Sequence, residues 1–110
     1  MRRAIALTVA ALVLGACAGR HAPVSPISAA ARGHGIAVQR CAACHGVEPG
    51  SVSPRPLAPP FASREMRATA GLDGRLASLT SKGHYEMPPL ALRPAEVEDL
   101  LAYIASLDAH

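Results

Sequence analysis

Two thiols and an imidazole stand together in Cys41-Ala42-Ala43-Cys44-His45, and few chemistries use that set at that spacing. Residues three and four apart lie on the same side of a helical turn, so all three side chains can face one flat partner. A C-x-x-C-H run fits the covalent attachment of haem c. The two thiols would reach the two vinyl groups of one porphyrin, and His45 would approach iron from below the ring. Ala42 and Ala43 are small enough to let the backbone sit close to the macrocycle. A thioredoxin-like redox pair would need a βαβ context, and none is visible. A structural zinc site would need a fourth ligand and usually a second paired cluster. Only a scattered histidine such as His84 could serve, and the adjacent Cys44 and His45 are awkward joint ligands.

The remaining cysteine, Cys17, follows a different kind of segment. Arg2 and Arg3 form a positive start, and residues 4–14 form an uncharged, apolar run in which Thr8 is the one polar side chain. Such a run is too short for a spanning helix and has the flanks of a cleaved export signal. Leu14-Gly15-Ala16-Cys17 resembles the lipobox of bacterial lipoproteins, in which the cysteine is lipidated. Residues 1–16 are therefore expected to be a lipoprotein-type signal peptide, and 17–32 the lipidated Cys17 with a flexible tether rich in Ala, Pro and Ser. Simple cleavage after Ala18 is the competing reading, because Ala16-Cys17-Ala18 also has the A-x-A form. Either route predicts an exported, periplasmic protein, with lipid at Cys17 adding a membrane anchor. All three cysteines then have a use, and no disulfide is expected.

Cleavage also changes the charge. The chain has 11 basic and 8 acidic residues; without Arg2 and Arg3 the formal charge falls from +3 to +1. That near-neutral balance argues against nucleic acid as a partner.

Residues 33–110 are left for a single domain. A short helix is expected over 33–43, then a loop over 47–60 with five prolines, which exclude regular structure across it. Two short helices follow over 61–69 and 72–81, and a second loop over 83–93 carries Met87-Pro88-Pro89. The last helix is the clearest. Pro94 suits its first position, Glu96, Glu98 and Asp99 suit its N-terminal end, and Val97, Leu100, Leu101, Ile104 and Leu107 make one apolar face. No alternating run of strand length occurs, so the fold is expected to be all-α. So small a domain, with Phe61, Tyr85 and Tyr103 as its aromatics, rarely builds enough core unaided. A buried haem would supply it.

In this setting the sequence resembles the small bacterial monohaem class I cytochromes c. The likeness is carried by Cys41-Ala-Ala-Cys44-His45-Gly46, Ala58-Pro59-Pro60-Phe61, Gly83-His84-Tyr85-Glu86-Met87-Pro88 and the terminal helix. It implies short helices wrapped around one covalent haem c, with His45 as proximal and Met87 as distal iron ligand. A thioether ligand favours ferrous iron and raises the potential relative to two histidines. Met66 and His84 are competitors for the sixth position. The resemblance also implies a proline carbonyl holding the His45 ring, with Pro59 the candidate and Pro60 next to it. Leu100 and Tyr103 are expected to pack the last helix across the first near Gly35, a structural role.

With both axial positions filled, the iron would have no open site for a substrate. The expectation is therefore a monomeric one-electron carrier, not an enzyme, meeting redox protein partners transiently. Two alternatives stay open: a haem-based ligand-binding or sensor protein with a displaceable sixth ligand, and a haem-free lipoprotein adaptor.

Overall fold

The computed structural model describes residues 27–70 and 74–107. The expected signal peptide, the lipidation candidate Cys17 and most of the expected tether lie outside the described residues. Among those described, four helices run in order: α1 (Ala29–Arg40), α2 (Arg64–Ala70), α3 (Arg75–Lys82) and α4 (Pro94–Ser106). The described residues contain no strand, only an isolated antiparallel bridge between His84 and Met87. No helix among them is long and apolar enough to cross a membrane.

α1 begins four residues earlier than the sequence pattern indicates. Ser28 is the reason, because its Oγ accepts the Ala31 amide at 3.1 Å and caps the helix. The alanines that follow are the best helix formers, so a stretch with linker composition is in fact the first turn. Arg32, expected in the tether, instead donates from Nε and Nη2 to the two carboxylate oxygens of Asp99 on α4, at 2.8 and 2.6 Å. This fork-to-fork pairing holds Asp99 below the ordinary carboxylate range, chiefly through the hydrogen bond.

α4 follows its periodicity. Pro94 takes the first helical position, and the Glu96 carboxylate accepts the Arg93 amide at 2.8 Å, which satisfies an orphan donor. Leu100, Tyr103, Ile104 and Leu107 are buried, with Leu100 only 1% exposed. They pack with Ala37, Cys41, Val47, Phe61, Ala70 and Leu76 into one core.

The close approach of α1 and α4 occurs at Gly33, not at Gly35. A Cβ on Gly33 would overlap the Asp99 carbonyl and lie 2.8 Å from Tyr103 Cβ, whereas one on Gly35 would meet nothing within 4 Å. Helical period explains the difference: Gly33 and the fully buried Ala37 are four apart and share the face turned to α4. This crossing is the platform from which the end of α1 presents Cys41.

Candidate functional site

The chain leaves α1 at Cys41 and makes one further turn, with the Cys44 and His45 amides both donating to the Cys41 carbonyl at 3.1 and 2.9 Å. That turn brings Cys41, Cys44 and His45 to one wall of a cavity of about 470 Å³, within the roughly 300–1,000 Å³ usual for cofactor sites. The loop after α3 contributes His84, Tyr85, Glu86 and Met87 to the lining, and α2 to α4 add Met66, Thr69, Leu76, Leu79 and Leu100. Leu57 and Tyr85 stand at its edge, 83% and 93% exposed.

His45 is held from behind. Its Nδ1 lies 2.9 Å from the Pro59 carbonyl oxygen. A carbonyl can only accept, so Nδ1 carries the proton and Nε2 keeps a lone pair for a metal. The ring also leans on Phe61, centroid to centroid 5.4 Å. A strip from Ser53 to Phe61 sets up these contacts: the Arg55 amide donates to the Cys44 carbonyl at 3.2 Å, and the Phe61 amide to the Gly46 carbonyl at 2.8 Å. Ser53 Oγ accepts the Gly46 amide at 2.9 Å. Gly46 has no room for a side chain, since a Cβ would stand 2.7 Å from both the carbonyl oxygen and Oγ of Ser51. Behind this, the Tyr103 hydroxyl donates to the Val47 carbonyl at 2.6 Å, and burial pushes the phenol up from its ordinary pKa.

Cys41 is buried and Cys44 half-buried, and no disulfide joins them. Burial pushes the Cys41 thiol up to about 11. No three His, Cys, Asp or Glu side chains among the described residues are grouped to hold a metal unaided.

In the loop after α3, His84 and Met87 exchange two backbone hydrogen bonds, at 3.0 and 2.8 Å, around a tight turn at Tyr85-Glu86. Tyr85 adopts a positive φ of 48° there. Glycine is required at the foot of this loop: Gly83 has φ 74°, and a Cβ on it would lie 2.8 Å from the Met87 carbonyl oxygen. Met87 is half-buried, whereas His84 is exposed with its ring against Tyr85 at 4.1 Å. Met66 lines the same cavity but packs against the core on α2. Arg55 reaches over the mouth to Glu86, 3.7 Å away.

The structure thus gathers Cys41, Cys44, His45, Pro59 and Met87 around one cavity. Ser53, Arg55 and Gly83 belong to the same frame and were not singled out for it by the sequence. Serine and arginine in a proline-rich loop carry no periodic signal, although a glycine directly after a helix is an ordinary stop signal. The residues fit a large apolar disc with a metal at its centre, because attachment thiols, an imidazole with a free nitrogen and a thioether all border one mostly apolar space.

A family model described as cytochrome c oxidase, cbb3-type, subunit III matches residues 28–104. No curated protein matches the chain, and no solved structure does.

Proposed function

The chain belongs to the family of cytochrome c domains described as cbb3-type cytochrome c oxidase subunit III, and on that premise we propose a periplasmic one-electron carrier with His45 and Met87 as its iron ligands. Membership makes it a small monohaem c-type cytochrome of all-α fold, with haem c bound covalently. The observation that carries the finer reading is that Cys41, Cys44, His45 and Met87 border one and the same cavity. Bound there, haem c supplies one reversible electron at its iron.

Each residue then has a defined task. Cys41 and Cys44 form the thioethers, and the buried position of Cys41 keeps its sulfur out of water. The Pro59 carbonyl orients His45 and makes its Nε2 a better donor. Met87, half-buried where His84 is exposed, offers a soft sulfur that favours the ferrous state. Leu57 and Tyr85 leave the mouth open to a protein partner, and a small transient contact suits a carrier that must also let go. Cys17, lipidated, would tether the domain to a membrane; Cys17→Ser should then release it to the soluble fraction, and continued membrane association would exclude that anchor.

An optical redox titration of the purified holoprotein tests the reading. A single one-electron wave with a methionine–iron charge-transfer band is expected. Rapid stoichiometric carbon monoxide binding by the reduced protein would instead favour a ligand-binding sensor.

A further inference from the structure

We propose that the Ser53 hydroxyl is a positioning residue for His45, setting the strength of the hydrogen bond between the His45 ring and Pro59 and through it the potential of the iron. The proposal rests on the reading of His45 as an iron ligand and adds a residue to that site. Four hydrogen bonds join residues 53–61 to the segment 44–46. Three of them use the strip's own backbone: the Arg55 amide to the Cys44 carbonyl, the Phe61 amide to the Gly46 carbonyl, and the Pro59 carbonyl to His45 Nδ1. Only the fourth, from the Gly46 amide to Ser53 Oγ at 2.9 Å, depends on a side chain of the strip.

That one bond has leverage because of where its donor lies. The Gly46 N–H and the His45 carbonyl share one rigid peptide plane, so the Ser53 hydroxyl fixes how that plane is turned at His45. Gly46 is buried, and Ser51 fills the space where its side chain would be. Ser53 therefore holds the plane at its N–H, while Ser51 crowds the adjacent Cα. Without the hydroxyl a buried donor loses its acceptor, and the plane must turn to find another. Turning it moves His45 relative to Pro59 and lengthens the bond at Nδ1. A weaker bond there makes the imidazole a poorer donor, which favours ferrous iron.

The test uses the holoprotein with Ser53→Ala and Ser53→Thr. Ser53→Ala should raise the midpoint potential and move the hyperfine-shifted proton resonances of the His45 ring in the oxidised protein. Ser53→Thr, which keeps the hydroxyl, should restore both. A lower melting temperature with potential and ring resonances unchanged would reduce Ser53 to a scaffold residue and overturn the proposal. If Ser53→Ala does not accumulate, Ser53→Cys carries the same measurement, since a thiol is the weaker acceptor; an unchanged potential there also overturns it. Absence of shifted imidazole resonances in the unsubstituted protein would instead remove His45 as ligand, a failure of the underlying reading.

Discussion

The two sides of the cavity are built by different means. On the His45 side the segment 44–46 is held by four hydrogen bonds from residues 53–61. Behind it lie the buried Tyr103 and the crossing of α1 with α4 at Gly33. On the Met87 side the loop is held by its own two-bond turn, by the Leu90 amide on the Thr80 carbonyl at 2.6 Å, and by an exposed ion pair. Its tip residue, Tyr85, is almost wholly exposed. One side is rigid because its polar groups are consumed by fixed partners, and the other has few partners to lose. On the proposed ligation, the contrast suits a site in which one ligand stays fixed and the other can be displaced.

The largest expected effects separate the two sides directly. His45→Ala should prevent holoprotein from accumulating, because it removes both the proposed iron donor and the group around which residues 53–61 are organised. Met87→Ala should leave covalent haem in place, lower the midpoint potential and abolish the methionine–iron band. Pyridine haemochrome content and a redox titration read both outcomes. Equal haem loss in the two variants would break the comparison, and an unchanged Met87→Ala spectrum would pass the ligand role to His84.

A smaller effect is expected behind His45. Tyr103→Phe leaves the Val47 carbonyl without its buried donor, at a cost of about 1–3 kcal/mol, read by denaturant unfolding of the holoprotein. Its midpoint should fall while the methionine–iron band stays, since the loss is confined to the His45 side. A change in that band would show the two sides to be coupled.

Acid should loosen the same side. The Asp99 pKa is depressed in the folded chain by Arg32. Its contribution to stability is therefore present above the ordinary Asp value, near 3.9, and is lost as pH falls through the lower folded value. Arg32→Ala should be less stable than the unsubstituted protein at neutral pH, with the difference shrinking toward zero in acid. A difference that stays constant with pH would mean that Arg32 acts through packing and its bond to the Ile27 carbonyl, not through Asp99.

How much of this could be read from the chain follows from how local each feature is. Cys41, Cys44 and His45 sit within five residues, so their shared direction is a property of one turn, and α4 announces itself through period and through Pro94. The start of α1 could not be read so well, because Ser28 and three alanines have the composition of a tether until Asp99 arrives to pair with Arg32. Gly33 and Gly35 are equally good glycines on paper; only the helix crossing distinguishes them. Ser53 and Arg55 are invisible for a related reason. Their partners, Gly46 and Glu86, are chosen by how a loop with no periodicity folds back on itself.

The smallest effect concerns the one side-chain ion pair described between the two sides. Arg55 is tied through its amide to Cys44, and its guanidinium reaches Glu86, the neighbour of Met87. Both side chains are more than half exposed, so the pair is worth about 0–1 kcal/mol and is screened by salt. Glu86→Gln should therefore barely alter unfolding, yet it removes a strap from the side that has few. On the proposed ligation, imidazole would displace the thioether only after the Met87 loop moves, so its binding rate to the ferric protein reads that strap. At low ionic strength the rate should rise by about 2- to 5-fold, the factor that such an energy permits, and the gain should vanish at 1 M salt. The charge-exchanged double variant Arg55→Glu with Glu86→Arg should return to the original rate. If the single variant leaves the rate unchanged at every salt concentration, the backbone bonds at His84, Met87 and Leu90 alone hold the Met87 side closed.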